Sequence, residues 1–182
     1  MKNILTLLSL LLIVWNTNGQ ESTIKKFDFF TSVNMGMTSD FNNSNLSGTI
    51  TNGVLINNRF SAALGVGMEG NQNGRQLPIF LEGKYILFNK KDNTPFISVM
   101  SGYLQPLERN YWQNIDGGFT AGVQIGYQNF FSENVGIATS IGYRYWSQQG
   151  TQGYYYDIIA YPEPIYYYIS NRFELRLSLI FK

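Results

Sequence analysis

The sequence predicts an all-β fold: an eight-stranded antiparallel up-and-down transmembrane β-barrel preceded by a signal peptide. Three observations predict it. The last stretch, Ser170 to Lys182 (SNRFELRLSLIFK), places Phe173, Leu175, Leu177, Leu179 and Phe181 at every second position, with Arg172, Glu174, Arg176, Ser178 and Ile180 between them. A strand sends alternate side chains to opposite faces, so one face is oily and the other largely charged or polar. The same alternation recurs along the chain with charge confined to one face, and the connections alternate long and short.

The first twenty residues, MKNILTLLSLLLIVWNTNGQ, have the layout of a secretory signal. Lys2 is the positive start, Ile4 to Trp15 the apolar run, and Thr17-Asn18-Gly19 the small or polar stretch before a cut. The run is about a dozen residues, short of the roughly 20 that span a bilayer as a helix. The expected organisation is therefore a signal peptide over 1–19 and one barrel domain over 20–182.

Phe27 to Met37 alternates Phe27, Phe29, Thr31, Val33, Met35 and Met37 against Asp28, Phe30, Ser32, Asn34 and Gly36. Thr38 to Ser47 reads as a polar loop. Thr49 to Ile56 is the weakest strand: Val54 and Ile56 suit the oily face and Asn52 does not. Asn57-Asn58 signals a tight turn. Phe60 to Glu69 sets Phe60, Ala62, Leu64, Val66 and Met68 against Ser61, Ala63, Gly65, Gly67 and Glu69. Gly70 to Gln76 reads as a loop. Pro78 to Phe88 turns Ile79, Leu81, Tyr85 and Leu87 one way and Glu82 and Lys84 the other, and 89–94 is a charged turn.

Pro95 to Leu104 is a strand with Ile97, Val99 and Tyr103 on one side, although Phe96 and Met100 blur its polarity. Gln105 to Asp116 is a loop holding Trp112. Phe119 to Gln128 and Val135 to Ser147 alternate cleanly, around a turn near 129–134. Gln148 to Ile169 is a Tyr-rich loop before the final strand. Eight strands is an even number, and each is about the 9–11 residues of a tilted membrane strand. Short turns on one side and long loops on the other put both termini in the periplasm and four loops at the cell surface.

Charge decides which face meets lipid. The oily faces carry no Lys, Arg, Asp or Glu in their central stretches; strand charge falls at Glu69, Glu82, Lys84, Arg144, Glu174 and Arg176 on the other face. A charge at the bilayer midplane costs about 2–4 kcal/mol on the lipid side of a barrel, whereas the lumen tolerates it. A soluble lipocalin-like barrel would reverse the polarity and carry charge along its whole outer face. This second face is instead rich in Gly, Ala and Ser. Gly65, Gly67, Gly122, Gly126, Gly136 and Gly142 are expected to make room for the long charged side chains in a lumen that eight strands leave barely wide enough to fill.

The inward charges are expected to pair as an interior ion network that plugs the barrel, with Arg144 and Glu174 as cross-strand neighbours and Glu82 and Lys84 on the far wall. Tyr85, Tyr103, Tyr127, Tyr143 and Tyr145 fit an aromatic girdle. In the last loop Tyr154, Tyr155, Tyr156 and Tyr161 offer a surface for a glycan or a partner protein.

Other chemistry finds no footing. The chain has no His and no Cys, which removes Ser-His catalysis, a thiol nucleophile and the usual zinc ligands. Its 13 basic and 12 acidic residues balance, against a nucleic-acid binder. Glu69 and Glu82 read as partners of cations rather than an acid–base pair. No enzyme, no metal and no cofactor are expected. The expected partners are outer-membrane lipid, the barrel-assembly machinery through the C-terminal strand, and a surface glycan or protein around a monomer.

Several runs carry a family resemblance. TNGVLINNRFSAALGVG (Thr51 to Gly67), PIFLEGKY (Pro78 to Tyr85), PFISVMSGY (Pro95 to Tyr103), Gly117-Gly118-Phe119 with Gly126-Tyr127, and Gly142-Tyr143-Arg144-Tyr145 resemble successive strands of the small outer-membrane β-barrel domains common in Bacteroidetes. These are similar in architecture to the OmpA/OmpX-like barrels. The resemblance covers nearly the whole chain after the signal. It implies an outer-membrane location and no enzymatic activity, and assigns no functional residue. Lys182 after Phe181 departs from the usual aromatic end. Two functions stay open: a structural or surface-interaction role through the loops around a filled lumen, or a module that binds or takes up a small hydrophobic ligand lined by Phe30, Phe96 and Met100.

Overall fold

The computed structural model describes residues 27–40, 43–56, 59–71, 74–88, 93–107, 113–152 and 165–182. The signal peptide, Trp112, and Tyr154, Tyr155, Tyr156 and Tyr161 lie outside them. Eight strands follow in chain order: β1 Phe27–Ser39, β2 Ser44–Ile56, β3 Phe60–Asn71, β4 Gly74–Ile86, β5 Asn93–Pro106, β6 Gln113–Phe130, β7 Val135–Gln152 and β8 Ile165–Phe181. Each pairs antiparallel with its neighbour in sequence. The β1–β8 ladder, from Thr31↔Phe181 to Ser39↔Phe173, closes the barrel. Closure removes the free edges that an open sheet would leave along this stretch.

The polarity is inside-out. Leu175 is 55% exposed, Leu177 46%, Ile125 59% and Val123 47%, while Arg144 is 5% exposed and Glu174 3%. Period-two burial runs down β8 from Arg172 to Ile180 without interruption. Phe96 and Met100, whose facing the sequence left blurred, both point inward. The β1–β2 register places Asn52 on the outer face opposite Thr31, which donates to its Oδ1 at 2.7 Å. That partner explains how a polar residue sits among apolar neighbours on a strand that looked weak.

The strands are longer than expected, at 12 to 18 residues. Stretches read as polar loops are strand. Ser39 pairs with Ser44, so Thr38–Ser47 is the top of a hairpin, and Asn71 pairs with Gly74, so only residues 72 and 73 separate β3 from β4. Gly74 has φ 116°, a conformation that favours glycine, which permits so tight a connection. The regular alternation of loop lengths is therefore absent. Polar Ser and Asn residues ended the hydrophobic pattern but not the hydrogen-bonded ladder. Phe27 and Lys182 mark the lower end of the barrel; Ser39, Ser44, Thr151 and Ile165 mark the upper.

Three of the six expected inward glycines seat aromatic rings rather than charges. Gly65 lies directly opposite Phe80, Gly126 opposite Phe96, and Gly136 opposite Phe130. In each case an added Cβ would collide with that ring. The rings lie flat over the bare backbone, an aromatic covering of glycine across a strand pair.

Candidate functional site

The lumen is filled in two parts. At the lower end Phe96, Ala138 and Ile180 form an apolar cluster, with Phe30 and Phe130 packed against it. Above it buried polar and charged residues predominate, with Phe80, Met100, Leu104 and Trp146 among them.

Arg176 is the centre of the lower charge cluster. Its Nη1 lies 2.7 Å from Glu82 Oε2 and its Nη2 3.0 Å from Glu174 Oε1. Nε also donates to Glu174 Oε1 at 3.3 Å, and Nη2 reaches Met100 Sδ at 3.4 Å. Strand order makes β8 and β4 opposite walls, so the Arg176–Glu82 bond crosses the lumen. The ring of Phe80 lies 5.9 Å from the guanidinium. Lys84 is held over Phe96, its Nζ 4.6 Å from the ring centre. Two cations and two carboxylates make this cluster neutral, as burial of charge requires.

A second neutral set lies above. Arg144 Nη1 is 2.9 Å from Glu69 Oε2, again between opposite walls, β7 and β3. This contact is an ion pair by distance only: Glu69 Oε2 lacks hydrogen-bond alignment with any described residue. Thr38 Oγ1 donates to Glu69 Oε1 at 3.3 Å, and Arg144 Nε donates to Thr120 at 3.1 Å. Arg172 Nη2 reaches Asp40 Oδ2 at 3.5 Å and stacks on Trp146 at 4.1 Å. Higher still, Gln76 Nε2 donates to Gln148 Oε1 at 3.0 Å across the mouth.

All six expected charges, Glu69, Glu82, Lys84, Arg144, Glu174 and Arg176, therefore lie in the lumen, and five of them are in ion pairs. The expected pairing of Arg144 with Glu174 is not made. In the register, Arg144 faces Arg172 and Glu174 faces Gly142. Arg144 reaches across to Glu69, and Glu174 bonds Arg176 two residues along its own strand. Sequence reasoning set Arg172 on the charged face without including it in the network, and missed Asp40. Arg172 has the same inward parity as Glu174 and Arg176, which could have included it; Asp40 sat in what read as a loop.

The residues that would line an internal site for a hydrophobic ligand touch one another or their neighbours. Phe96 and Phe30 belong to the lower plug, and Met100 accepts from Arg176. One apolar concavity is an open groove in the outer wall, bordered by Leu87, Ile97, Ile125, Tyr127, Ile141 and Leu175. The girdle residues Tyr85, Tyr103, Tyr127 and Tyr143 are exposed on that wall, and Tyr143 meets Phe173 edge-to-face at 6.1 Å. Lys182 places its Nζ 3.9 Å over the Phe130 ring, which gives the terminal cation an aromatic contact at the lower rim.

Among known proteins, no family model and no curated sequence matches the chain. Solved structures do. The chain is similar to Neisserial surface protein A, with a TM-score of 0.52 and 15% identity over 86% of this chain and 96% of that one. It is also similar to outer membrane protein AlkL, determined by solid-state NMR in DMPC bilayers, with a TM-score of 0.57 and 12% identity over 91% of this chain and 94% of that one. The fold is thus that of the small eight-stranded outer-membrane β-barrels. At these identities the likeness concerns fold alone.

Proposed function

We propose that the protein is a monomeric resident of an outer membrane, of the Bacteroidetes-type small-barrel class that its motifs resemble. It is exported with residues 1–19 removed and inserted by the barrel-assembly machinery through β8. Its role is structural or one of surface contact through its upper end, without catalysis or bulk transport. The observation that carries this reading is the polarity: the largest exposed side chains form an apolar outer wall while the buried ones include Glu69, Arg144, Glu174 and Arg176. No aqueous sheath would favour that arrangement. The cross-lumen ion pairs and the plug around Phe96 favour a sealed interior over a pore.

Three measurements test it. The detergent-extracted protein should migrate faster on a gel unheated than boiled, and should fractionate with outer membranes. In planar bilayers it should show no stable conductance steps. Recovery in the soluble periplasmic fraction, or steps of porin size, would defeat the reading.

A further inference from the structure

The apolar outer wall is broken by a polar pair near its lower end. Thr31 and Asn52 face each other across the β1–β2 ladder, between Val33↔Ile50 above and Phe29↔Val54 below. Thr31 Oγ1 donates to Asn52 Oδ1 at 2.7 Å. That bond uses the amide oxygen and fixes the side chain. Asn52 Nδ2 is left with no acceptor among the described residues, on a residue exposed on the lipid side. An N–H turned toward hydrocarbon is unfavourable unless something there accepts from it.

The register fixes the depth of the pair. Thr31 also pairs with Phe181, the last residue of β8, and Lys182 below it bonds through its backbone N–H to Asn134 O in the β6–β7 turn. Thr31 and Asn52 therefore sit at the lower edge of the hydrocarbon band, where the ester and phosphate groups of a leaflet begin. These residues border an open groove of about 480 Å³, walled by Phe29, Val54 and Phe181 with Lys182 at its lip. That volume lies within the roughly 300–1,000 Å³ of small-molecule sites, so a glycerol backbone with the head of a chain fits it.

From the lip upward the groove offers a cation, an amide donor and then apolar wall. Lys182 is held at the rim, its Nζ 3.9 Å over the Phe130 ring. Asn52 comes next, and Val33, Ile50 and Leu179 continue above it, all exposed. A glycerophospholipid presents the complementary order from its headgroup inward: phosphate, ester carbonyls, acyl chain. A hydrocarbon chain alone leaves the amide and the cation unanswered. A free phosphate leaves the apolar wall unanswered.

We infer that this groove holds one glycerophospholipid of the periplasmic leaflet. Lys182 attracts its phosphate, Asn52 Nδ2 donates to an ester carbonyl oxygen, and an acyl chain lies along Val33 and Leu179. Thr31 is a positioning residue: its bond to Oδ1 turns the amide nitrogen outward. Ordinary boundary lipid exchanges along an apolar wall without preference for its headgroup, whereas this site selects phosphate. The inference rests on the outer-membrane reading, which sets lipid against the outer wall and the lower end in the periplasm.

The test uses the full chain in dodecyl maltoside, titrated with dioleoyl phosphatidylglycerol and, separately, with dioleoylglycerol, which keeps the esters and lacks the phosphate. Native mass spectrometry should show one phosphatidylglycerol bound at saturation, and dioleoylglycerol held at least tenfold more weakly. Lys182→Met should bring phosphatidylglycerol to within about twofold of dioleoylglycerol. Asn52→Leu should weaken both at least tenfold, and both variants should keep the heat-dependent gel shift. Equal binding of the two lipids, uptake that passes one per barrel without a plateau, or undiminished binding in Asn52→Leu overturns the inference. A dimer of barrels that Asn52→Leu dissolves gives the groove to a second copy and overturns it too. Absence of the gel shift in the unsubstituted protein overturns the membrane reading instead, whatever the lipids do.

Discussion

Arg176 on β8 bonds Glu82 on β4 across the width of the lumen, Nη1 to Oε2 at 2.7 Å. Arg144 on β7 and Glu69 on β3 span it one step round the wall, at 2.9 Å. Ladder hydrogen bonds hold each strand to its neighbours but leave the cross-section free to flatten. These two ties join opposite walls, and the rings of Phe80 and Trp146 brace the guanidinium groups of Arg176 and Arg172 from the side.

Replacing Arg176 by Met should destabilise the barrel by about 3–5 kcal/mol, because Glu174 and Glu82 stay buried with one cation too few. Adding Glu174→Leu to that variant leaves Glu82 with Lys84 and returns the cluster to neutrality. More than half of the loss should then be recovered. Urea titration of folding into vesicles measures both. A double variant as unstable as the single one would show that shape, not charge balance, governs this site.

The plug makes a separate prediction. Phe96 and Ile180 are 3% and 4% exposed, at the lower end below the ion pairs, with Lys84 held over the Phe96 ring. Phe96→Ala with Ile180→Ala removes most of that apolar cluster and should cost about 3–5 kcal/mol per large truncation at most. If the plug is the main seal, brief conductance steps should appear in planar bilayers where the unsubstituted barrel shows none. Silent membranes from a folded double variant would assign the seal to the ion pairs above.

Much of the fold was legible in the chain, and the reasons for the rest are local. Period-two alternation is written into each side chain, so the facing of Leu175 or Arg144 needed no coordinates. Phe96 and Met100 broke the pattern because they fill the lumen as apolar residues, and only the cross-strand Gly126 and Gly122 show why they fit there. Pairing across the lumen depends on strand count and stagger, not on neighbours in sequence. Arg144 therefore found Glu69, 75 positions away along the chain, rather than Glu174 beside its own hairpin. Strand ends were missed wherever polar residues carried the ladder past the apolar stretch, as at Ser39↔Ser44.

Glycine substitutions should separate two roles. A Cβ at Gly65 would strike the Phe80 ring, whereas one at Gly48 on the outer wall meets nothing. Gly65→Ala should destabilise by about 1–3 kcal/mol through overpacking. Gly48→Ala should be neutral or slightly stabilising, since the unfolded chain loses freedom. Combining Gly65→Ala with Phe80→Leu should cost less than the sum of the two single changes, because the collision is gone. Strict additivity would mean that the ring is not what Gly65 accommodates.

The outer wall offers the sharpest contrast. Leu177 lies in the middle of the stretch of β8 that is paired on both sides, and Ile165 at the upper end of the same strand; both are exposed, at 46% and 61%. In water the two positions would accept Arg about equally, with changes within roughly 0.5 kcal/mol. With lipid around the barrel, Leu177→Arg should cost about 2–4 kcal/mol and Ile165→Arg about 0–1, because the penalty falls with distance from the midplane. Folding free energies in vesicles give the two numbers directly. The difference also reports depth, so a series along β8 from Phe173 to Leu179 should peak at its centre. A flat series would mean that the wall is not solvated by hydrocarbon, and that the exposed leucines answer to some other surface.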